Sequence, residues 1–381
     1  MQSINLVELI CLETTFKYMT AMNIIDMKTA LQSLSGKRVF VTGHTGFKGT
    51  WLTFLLKELG AEVMGYALPP KSKENHFELL GLAEKIDHKI GDVCNSIELE
   101  KALLSFQPEY VFHLAAQALV KKSYDDPTET FQTNVMGSVR LLDAVKRCNS
   151  VRSLVFITSD KCYENLEWIW GYRESDRLGG FDPYSASKAA AELIFSAYYK
   201  SFFASNSALG AASARAGNVI GGGDWADDRI VPDCIRAAKN GGSITLRNPK
   251  ATRPWQHVLE PISGYLLLAA QLYKYPKDAA GAWNFGPSTN EVRTVSEVAS
   301  TIVRHLGCGM IDEDHSKKHQ HEANLLQLNC DKANQLLGWH PRWSVEKTLS
   351  STAEWYKEWL VGGDMEKMTR RQIYDYFPEL K

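Results

Sequence analysis

A tyrosine and a lysine four residues apart open a long amphipathic stretch near the middle of the chain. Tyr184 and Lys188 stand in the run YSASK (184–188), where the pattern predicts the start of a helix. Side chains four residues apart lie on one face of a helix. A lysine ammonium beside a phenol favours the phenolate, so the spacing predicts that Lys188 lowers the pKa of Tyr184. The phenol is then a candidate general base for a substrate hydroxyl.

A second polar group lies upstream of this helix, at the end of an apolar run. The predicted strand 153–158 is followed by Ser159, Asp160 and Lys161. A serine-bearing strand end in the same chain as Tyr184 indicates a catalytic group. The alternative interpretation is a polar exit from strand to loop that carries no chemistry.

A glycine-punctuated turn follows the first predicted strand. The run TGHTGFKG (42–49) places Gly43, Gly46 and Gly49 between that strand and an amphipathic helix. The first glycine allows the tight turn, the second lets the backbone approach a pyrophosphate, and the third lets the helix pack on the sheet. The helix N-terminus offers free N–H groups to phosphates. The loop predicts dinucleotide binding, and its alternative is a plain turn.

Further cofactor contacts are expected from Thr45, Phe47 and Ala115, and from Asp92 after the third strand. Asp92 is interpreted either as an acceptor for the adenine amino group or as a helix N-cap. The second strand, 62–67, ends without the carboxylate that usually binds the ribose hydroxyls of NAD. No arginine follows directly to bind a 2′-phosphate, so NAD is preferred over NADP, with weak binding expected. His44 and Lys48, which flank the glycines, either touch phosphate or face solvent.

Strands and long helices alternate through the first half of the chain. Apolar runs at 110–114 and 153–158 alternate with helical patterns at 127–148 and 183–204. This alternation predicts an α/β fold with a Rossmann-type, doubly wound parallel sheet.

The pattern divides the chain into an extension and two units. Residues 36–216 are predicted to form the NAD-binding Rossmann domain, to which the chain returns around 256–286. Residues 217–255 and 287–381 are predicted to form a smaller α/β substrate-binding lobe. Residues 1–35 are interpreted as an extension, disordered or acquired by start-site choice, because they lack the pattern of a secretory signal. A targeting or partner-binding arm is the alternative.

Composition excludes several other classes. The 381 residues carry 43 Lys and Arg against 44 Asp and Glu, which argues against a dedicated nucleic-acid binder. No apolar run reaches the roughly 18 residues that a membrane span needs. The seven cysteines are scattered without a CxxC pair, which favours reduced thiols in a cytoplasmic protein.

The chain resembles the extended short-chain dehydrogenase/reductase family over about residues 36–345, and within it most closely the nucleotide-sugar 4,6-dehydratases that act on CDP-glucose. The similar runs are HLAAQALV (113–120), SDKCYEN (159–165), FDPYSASKAAAEL (181–193), RAGNVIGGGDWADDRIVPD (215–233) and RPWQHV (253–258). The resemblance implies a lyase that converts CDP-glucose to CDP-4-keto-6-deoxyglucose and water, with NAD regenerated.

The resemblance also implies roles for the polar residues. Tyr184 takes the proton of the hydroxyl at carbon 4, Ser159 binds that oxygen, and Lys188 holds the nicotinamide ribose. A protonated Asp160 helps the hydroxyl at carbon 6 leave. Most 4,6-dehydratases place a glutamate next as the base at carbon 5, whereas this chain has Lys161. Lys161 is therefore the base itself, or it orients a water, or it stabilises the enolate.

Three residues are expected to hold the substrate by the same resemblance. Asn218 is placed at the pyrophosphate or the sugar, Arg253 at the pyrophosphate, and Arg229 is a second candidate there. The planar fork of arginine suits a diphosphate, and a surface salt bridge is the alternative for both arginines. The preference for cytosine rests on the resemblance alone, so dehydratases of dTDP- or GDP-sugars stay open as alternatives.

Two rival functions are also open. A nucleotide-sugar 4-epimerase would not need Asp160 and Lys161, and an NAD(P)-sensing regulator would be expected to lose Tyr184 or Lys188. The family implies a cytoplasmic step towards the deoxy sugars of O-antigen and lipopolysaccharide.

Assembly and metal binding are the last expectations. Helices 127–148 and 183–204 could pair across a two-fold axis as a four-helix bundle of a homodimer or homotetramer, or simply pack within one subunit. No metal site is expected, and His315, His319 and His321 are interpreted as part of a solvated loop.

Overall fold

The structure, a computed structural model, describes residues 23–70, 72–246, 248–288, 291–313 and 325–381. Its strands are β1 (Arg38–Thr42), β2 (Glu62–Ala67), β3 (Asp87–Ile90), β4 (Tyr110–His113), β5 (Ser153–Ile157), β6 (Gly210–Ala216), β7 (Val219–Ile220), β8 (Ser243–Leu246), β9 (Thr252–Pro254), β10 (Gln256–His257), β11 (Gly281–Phe285), β12 (Val292–Thr294) and β13 (Met310–Glu313).

The α-helices are α1 (Met27–Gln32), α2 (Phe47–Glu58), α3 (His76–Leu79), α4 (Ser96–Phe106), α5 (Val120–Asp125), α6 (Pro127–Phe131), α7 (Gly137–Arg147), α8 (Pro183–Tyr198), α9 (Ile230–Lys239), α10 (Leu259–Lys274), α11 (Val295–Leu306), α12 (Asp331–Leu336), α13 (Val345–Leu360) and α14 (Met365–Tyr376). Short π-helical turns at Gln132–Met136 and Tyr199–Phe203 continue the helices around α6, α7 and α8.

Seven parallel strands form the central sheet, in the order β11-β6-β5-β4-β1-β2-β3. The central strands of this sheet are buried on both faces, as is typical of parallel sheets, whereas the edge strand β3 is partly exposed. In β1, Val39 and Val41 belong to one hydrophobic cluster and Phe40 to the other, because successive side chains of a strand point to opposite faces. The predicted Rossmann-type parallel sheet is confirmed.

The segments after β6 build a smaller layer against the carboxyl end of this sheet. Three short strand pairs form there: β7 with β10, β8 with β13, and β9 with β12. Helices α9 and α11 pack on each other, as do α11 and α13. Between these pieces the chain re-enters the central sheet, where β11 pairs with β6 from Gly281 to Phe285.

The first described residues are part of the packed core. Leu31 and Leu34 are buried beside α10, and the Gln271 side chain of α10 accepts a hydrogen bond from the backbone N–H of Ile25 at 3.2 Å. The prediction of a poorly ordered extension over 1–35 is therefore wrong for residues 24–35. The sequence did not indicate this packing, because α10, the helix that covers these residues, is distant in sequence.

Two other expectations fall partly or wholly outside the described residues. These are the structure of residues 1–22 and the predicted solvated loop of His315, His319 and His321. Within the described part of the chain, no helix is both long and apolar enough to span a bilayer.

Candidate active site

The glycine loop between β1 and α2 has the geometry of a phosphate-binding turn. Gly43 has φ of +75°, and a Cβ there would lie 2.7 Å from the Ala115 nitrogen. A Cβ on Gly49 would lie 2.1 Å from the Gly43 carbonyl oxygen, so the first turn of the helix packs directly on the loop. A Cβ on Gly46 would meet only that same oxygen, at 3.3 Å, which leaves its other side open to the cavity.

The remaining residues predicted for the cofactor lie around this loop. Thr45, Phe47, Ala115 and Asp92 all line one cavity with the three glycines. The Thr45 hydroxyl donates to the Leu68 carbonyl at 2.9 Å, which ties the loop to the end of β2. Asp92 is exposed, and its carboxylate accepts from the Cys94 N–H at 2.8 Å.

The N-cap alternative for Asp92 is wrong. The side chain that caps α4 is Asn95, which accepts from the Glu98 N–H at 3.2 Å. Asp92 forms a local turn three residues earlier, on the rim of the cavity.

His44 is fully buried beneath the loop and does not face solvent. Its Nε2 lies 2.7 Å from Nδ1 of His88, and a Cβ on Gly65 would lie 2.3 Å from its ring. Burial lowers the pKa of His44 to about 3, so the ring is neutral at physiological pH. A neutral ring that supports the loop from below adds no positive charge for a phosphate.

The cavity at the carboxyl end of the sheet is large, with a volume of about 1650 Å³. Sites for a single drug-sized ligand span about 300–1,000 Å³. This volume suits two extended ligands side by side. The predicted catalytic and substrate-binding residues all line this cavity together with the glycine loop: Ser159, Asp160, Lys161, Tyr184, Lys188, Asn218, Arg229 and Arg253.

Ser159 and Asp160 form a compact turn directly after β5. The Ser159 hydroxyl donates to Asp160 Oδ1 at 2.9 Å and accepts from the Lys161 N–H at 3.3 Å. Asp160 is only 3% exposed. A Cβ on Gly217 would lie 2.0 Å from Asp160 Oδ2, so the carboxyl group packs against a bare backbone. Lys161 follows on the same turn and is partly exposed to the cavity.

Tyr184 and Lys188 lie in the first turns of α8, which is strongly capped. Asp182 is the N-cap and accepts from the Ser185 N–H at 2.9 Å, and Pro183 occupies the first helical position. The Tyr184 N–H donates to the Ser123 hydroxyl at 3.1 Å. The helix start is therefore held in one place, and the side chains of Tyr184 and Lys188 are both buried.

The ionisation of this pair differs from the expectation. Burial raises the pKa of Tyr184 to about 12, and a hydrogen bond with Ser159 acts in the opposite direction. Lys188 is not among the leading causes, and burial lowers its own pKa to about 8. The net shift of the Tyr184 pKa is therefore upward, because the cost of burying a phenolate dominates.

Arg229 and Arg253 approach the cavity from the smaller layer. Arg229 Nη1 pairs with Asp224 Oδ2 at 2.8 Å, and that carboxylate raises the pKa of the guanidinium. Arg253 is nearly buried and donates to the Thr252 carbonyl at 2.8 Å. Both arginines line the cavity, and Arg229 also makes an ion pair of the kind that the alternative interpretation expected. Asn218, between β6 and β7, has a φ of +26°.

Lys48 belongs to the same cluster of charges. Its side chain lines the cavity, and among the described residues it makes no hydrogen bond or ion pair. Burial lowers its pKa to about 8, and Arg229 lowers it further while Asp160 raises it. The sequence left two alternatives open for Lys48, contact with a phosphate or exposure to solvent. The signal in the sequence was a lysine between Phe47 and Gly49 of the glycine-punctuated run.

Comparisons with known proteins identify the class. The model of the family described as GDP-mannose 4,6 dehydratase matches residues 40–352, and the chain belongs to this family. It is 48% identical to a CDP-glucose 4,6-dehydratase of Salmonella typhimurium over 345 residues, which cover 90% of this chain and 96% of the relative. The resemblance inferred from the sequence is confirmed.

Solved structures agree on the fold. The UDP-glucose 4-epimerase of Thermus thermophilus, solved with NAD, superposes with a TM-score of 0.72 at 25% identity and covers 84% of this chain and 99% of its own. The dTDP-glucose 4,6-dehydratase of Bacillus anthracis, also in complex with NAD, gives 0.70 at 22% identity over 84% of this chain and 97% of its own.

Proposed function

We propose that this chain is an NAD-dependent CDP-glucose 4,6-dehydratase, which converts CDP-glucose to CDP-4-keto-6-deoxyglucose and water. The observation that carries the proposal is the acid beside the catalytic hydroxyl. Asp160 is buried in the cavity next to Ser159 and near Tyr184, where an epimerase would need no proton donor. The identity of 48% to the Salmonella enzyme supports the choice of CDP-glucose.

The glycine loop fits NAD. Gly43 and Gly49 leave no room for a Cβ, and Gly46 opens to the cavity beside the N-terminus of α2, where a pyrophosphate would find free N–H donors. When bound, NAD would accept a hydride from carbon 4 of the sugar and return it to carbon 6. Its positive nicotinamide ring would also favour the Tyr184 phenolate. The neutral end of β2 leaves the adenosine ribose without a carboxylate partner.

Oxidation at carbon 4 falls to three residues. Tyr184 accepts the proton of the hydroxyl, Ser159 hydrogen-bonds the same oxygen, and Lys188 would hold the nicotinamide ribose of bound NAD. Buried surroundings strengthen each of these interactions, because water does not compete.

Elimination falls to the turn after β5. The ketone at carbon 4 acidifies the hydrogen at carbon 5, and Lys161 removes it while Asp160 gives a proton to the hydroxyl that leaves carbon 6 as water. Carbon 6 then takes up the two electrons that carbon 4 gave up, Lys161 returns its proton to carbon 5, and the proton on Tyr184 replaces the one lost by Asp160, so sugar and cofactor show no net redox change. Asp160 is suited to this role because its carboxyl group is enclosed by Ser159 and Gly217.

The substrate diphosphate lies between the two layers in this proposal. Arg229 and Arg253 bind it from the smaller layer, Asn218 from the β6–β7 turn, and Lys48 adds a positive charge from the cofactor loop. Lys48 lies close enough to Arg229 and Lys188 for each of them to shift its pKa, so three cations are gathered in one part of the cavity. Such a local group of cations suits a dianionic diphosphate in a near-neutral chain.

We further propose a cytoplasmic homo-oligomer that acts towards O-antigen sugars of lipopolysaccharide. Support for pairing through a four-helix bundle comes from apolar side chains exposed along the helices around α6, α7 and α8. They are Phe131 (39% exposed), Met136 (40%), Leu193 (60%) and Phe202 (41%). Light scattering of the purified protein would test the assembly.

The reaction is tested by incubating the protein with NAD and, separately, CDP-, dTDP-, GDP- and UDP-glucose. The absorbance that a 4-keto-6-deoxy sugar develops in alkali is then measured. Product from CDP-glucose alone supports both the chemistry and the base preference, whereas product from another nucleotide sugar contradicts the preference. A CDP-sugar epimerised without this absorbance, or no reaction at all, would sink the dehydratase proposal.

A further inference from the structure

A buried carboxylate lies one helical turn beyond Lys188, and the proposed reaction does not use it. Glu192 on α8 is 3% exposed. Its Oε1 accepts a short hydrogen bond from the Thr158 hydroxyl. Its Oε2 accepts from the Ser213 hydroxyl at 2.8 Å and from Arg215 Nη2 at 2.7 Å. Three donors from two strands therefore converge on one side chain of the catalytic helix.

Each donor connects Glu192 to a different part of the site. Thr158 is the first residue after β5 and directly precedes Ser159 and Asp160. Arg215 is also buried, and its Nη1 donates to the Tyr163 hydroxyl at 2.7 Å, at the far end of the Ser159–Cys162 turn. The Tyr163 hydroxyl donates in turn to Asn284 on β11 at 2.7 Å. Hydrogen bonds therefore fix the turn at both ends, through Thr158 at one end and through Tyr163 and Arg215 at the other, and both connections include Glu192.

An ion pair this deep is a poor device for stability alone. Removing two charges from water is costly, and well-packed apolar side chains of similar volume are often as stabilising. The pair of Arg215 and Glu192 is 2.7 Å apart, with both side chains almost wholly buried. What the pair provides, and apolar packing does not, is a directional link between the helix that carries Tyr184 and Lys188 and the strand end that carries Ser159 and Asp160.

We propose that Glu192 is a positioning residue for the dehydratase reaction. It holds the Ser159–Asp160 turn against α8 through Thr158, and it provides the negative charge beneath Lys188. The inference rests on the proposed function and extends it from the residues that touch the substrate to the network that sets their distance.

The charge of Lys188 depends on this arrangement. Burial lowers the pKa of Lys188, while Cys162 and Glu192 act to raise it. Two further basic groups face it from other elements, His113 on β4 and Lys48 on α2. Glu192 is therefore the carboxylate that favours the ammonium form of Lys188, and loss of its charge lowers the pH at which that form disappears.

A matched pair of variants tests the positioning. Thr158→Val and Ser213→Ala each remove one hydroxyl that donates to the same carboxylate, but only Thr158 adjoins Ser159. We expect Thr158→Val to lower kcat at least about tenfold more than Ser213→Ala, with KM for CDP-glucose changed less than about threefold, because misplacing a reacting group chiefly slows the chemical step. Equal losses of kcat in the two variants would overturn the proposal.

A second pair separates charge from reach. Glu192→Gln keeps an oxygen acceptor but removes the charge, so the alkaline limb of the kcat–pH profile should move to lower pH. Glu192→Asp keeps the charge on a shorter side chain, so kcat should fall while the limb stays closer to that of the parent protein. An unmoved limb in Glu192→Gln contradicts the electrostatic role, and if that variant does not fold, the Thr158 and Ser213 pair still decides the positioning role.

The proposed function is checked separately by the parent protein. Formation of the 4-keto-6-deoxy product by the unaltered chain is measured first. Its absence would count against the dehydratase reaction itself, whereas its presence with equal effects of Thr158→Val and Ser213→Ala would count only against the role of Glu192.

Discussion

The two sides of the cavity are built from different materials. The cofactor side is mostly backbone: glycines at 43, 46 and 49, the N-terminus of α2 and a neutral, buried His44 beneath them. The other side is a set of charged side chains, with the buried Asp160 packed on Gly217 and the partly exposed Arg229 paired with Asp224. Binding on the first side depends on local shape, whereas chemistry on the second depends on distances between segments that are far apart in sequence.

The largest effect should come from the charged side, at Asp160. Asp160→Asn keeps the size of the side chain but removes the proton donor that we propose for the leaving hydroxyl. We expect kcat for CDP-glucose dehydration to fall by about 10²–10⁴-fold, the usual contribution of a general acid. The assay is the alkali absorbance of the 4-keto-6-deoxy product.

An exposed aspartate provides the control for this variant. Asp87→Asn, at the start of β3, removes a carboxyl group far from the cavity lining and should leave kcat within about twofold. Full activity of Asp160→Asn would transfer the acid role to another group and would remove the main difference proposed between the two sides.

The second-largest fall in kcat should come from substitution of Gly217, which has no side chain that could react. A Cβ at this position would lie 2.0 Å from Asp160 Oδ2, so Gly217→Ala must displace the carboxyl group. Displacement of a reacting group by about 1 Å can cost on the order of 10²-fold in rate. We therefore expect kcat to fall by about that factor, measured with the same assay and accompanied by a thermal melt.

Another glycine serves as the comparison for Gly217→Ala. A Cβ on Gly242 would meet only the Ala237 carbonyl, at 4.0 Å, so Gly242→Ala should change neither kcat nor the melting temperature appreciably. If Gly217→Ala is as active as Gly242→Ala, the enclosure of Asp160 is not what positions it.

The contrast between the sides also explains what could be predicted from the sequence. The glycine loop, the strand ends and the YxxxK spacing are local patterns, and the parallel sheet and the gathering of these residues in one cavity followed from them. The ionisation of Tyr184 could not be predicted, because it depends on how deeply α8 is buried. The contacts of Glu192 could not be predicted either, since Thr158 and Ser213 become neighbours only when β5 pairs with β6.

Lys48 adjoins both sides of the cavity, and its substitution should have an intermediate effect on ligand binding. The residue lies in the first turn of α2, next to the glycine loop. Burial lowers the pKa of its ammonium to about 8, and Arg229 and Asp160 are close enough to shift that pKa as well. A diphosphate prefers the charged form, so affinity in the parent protein should fall as the pH rises through about 8. Lys48→Met should weaken binding of NAD and CDP-glucose by about tenfold below that pH, equivalent to about 1.4 kcal/mol.

Calorimetric titrations at several pH values would measure this effect. Lys188 also has a pKa near 8 in the same cavity, so the variant should keep part of the pH dependence. Lys57→Met, in the last turn of the same helix and outside the cavity lining, is the control. Unchanged affinity for both ligands in Lys48→Met would mean that the two sides bind their ligands without this shared charge.

The smallest effect on catalysis should come from the first described residues, which touch neither side of the cavity. Leu34 is fully buried in the hydrophobic core just after α1. Leu34→Ala should reduce the free energy of unfolding by about 2–5 kcal/mol, the usual cost of such a cavity, and leave kcat nearly unchanged. Gln32→Ala, exposed on the same helix, should stay within about 0.5 kcal/mol of the parent protein in urea unfolding. A loss of kcat without a loss of stability in Leu34→Ala would show that this segment acts on the site, because a packing role alone lowers stability before it changes the rate of the folded enzyme.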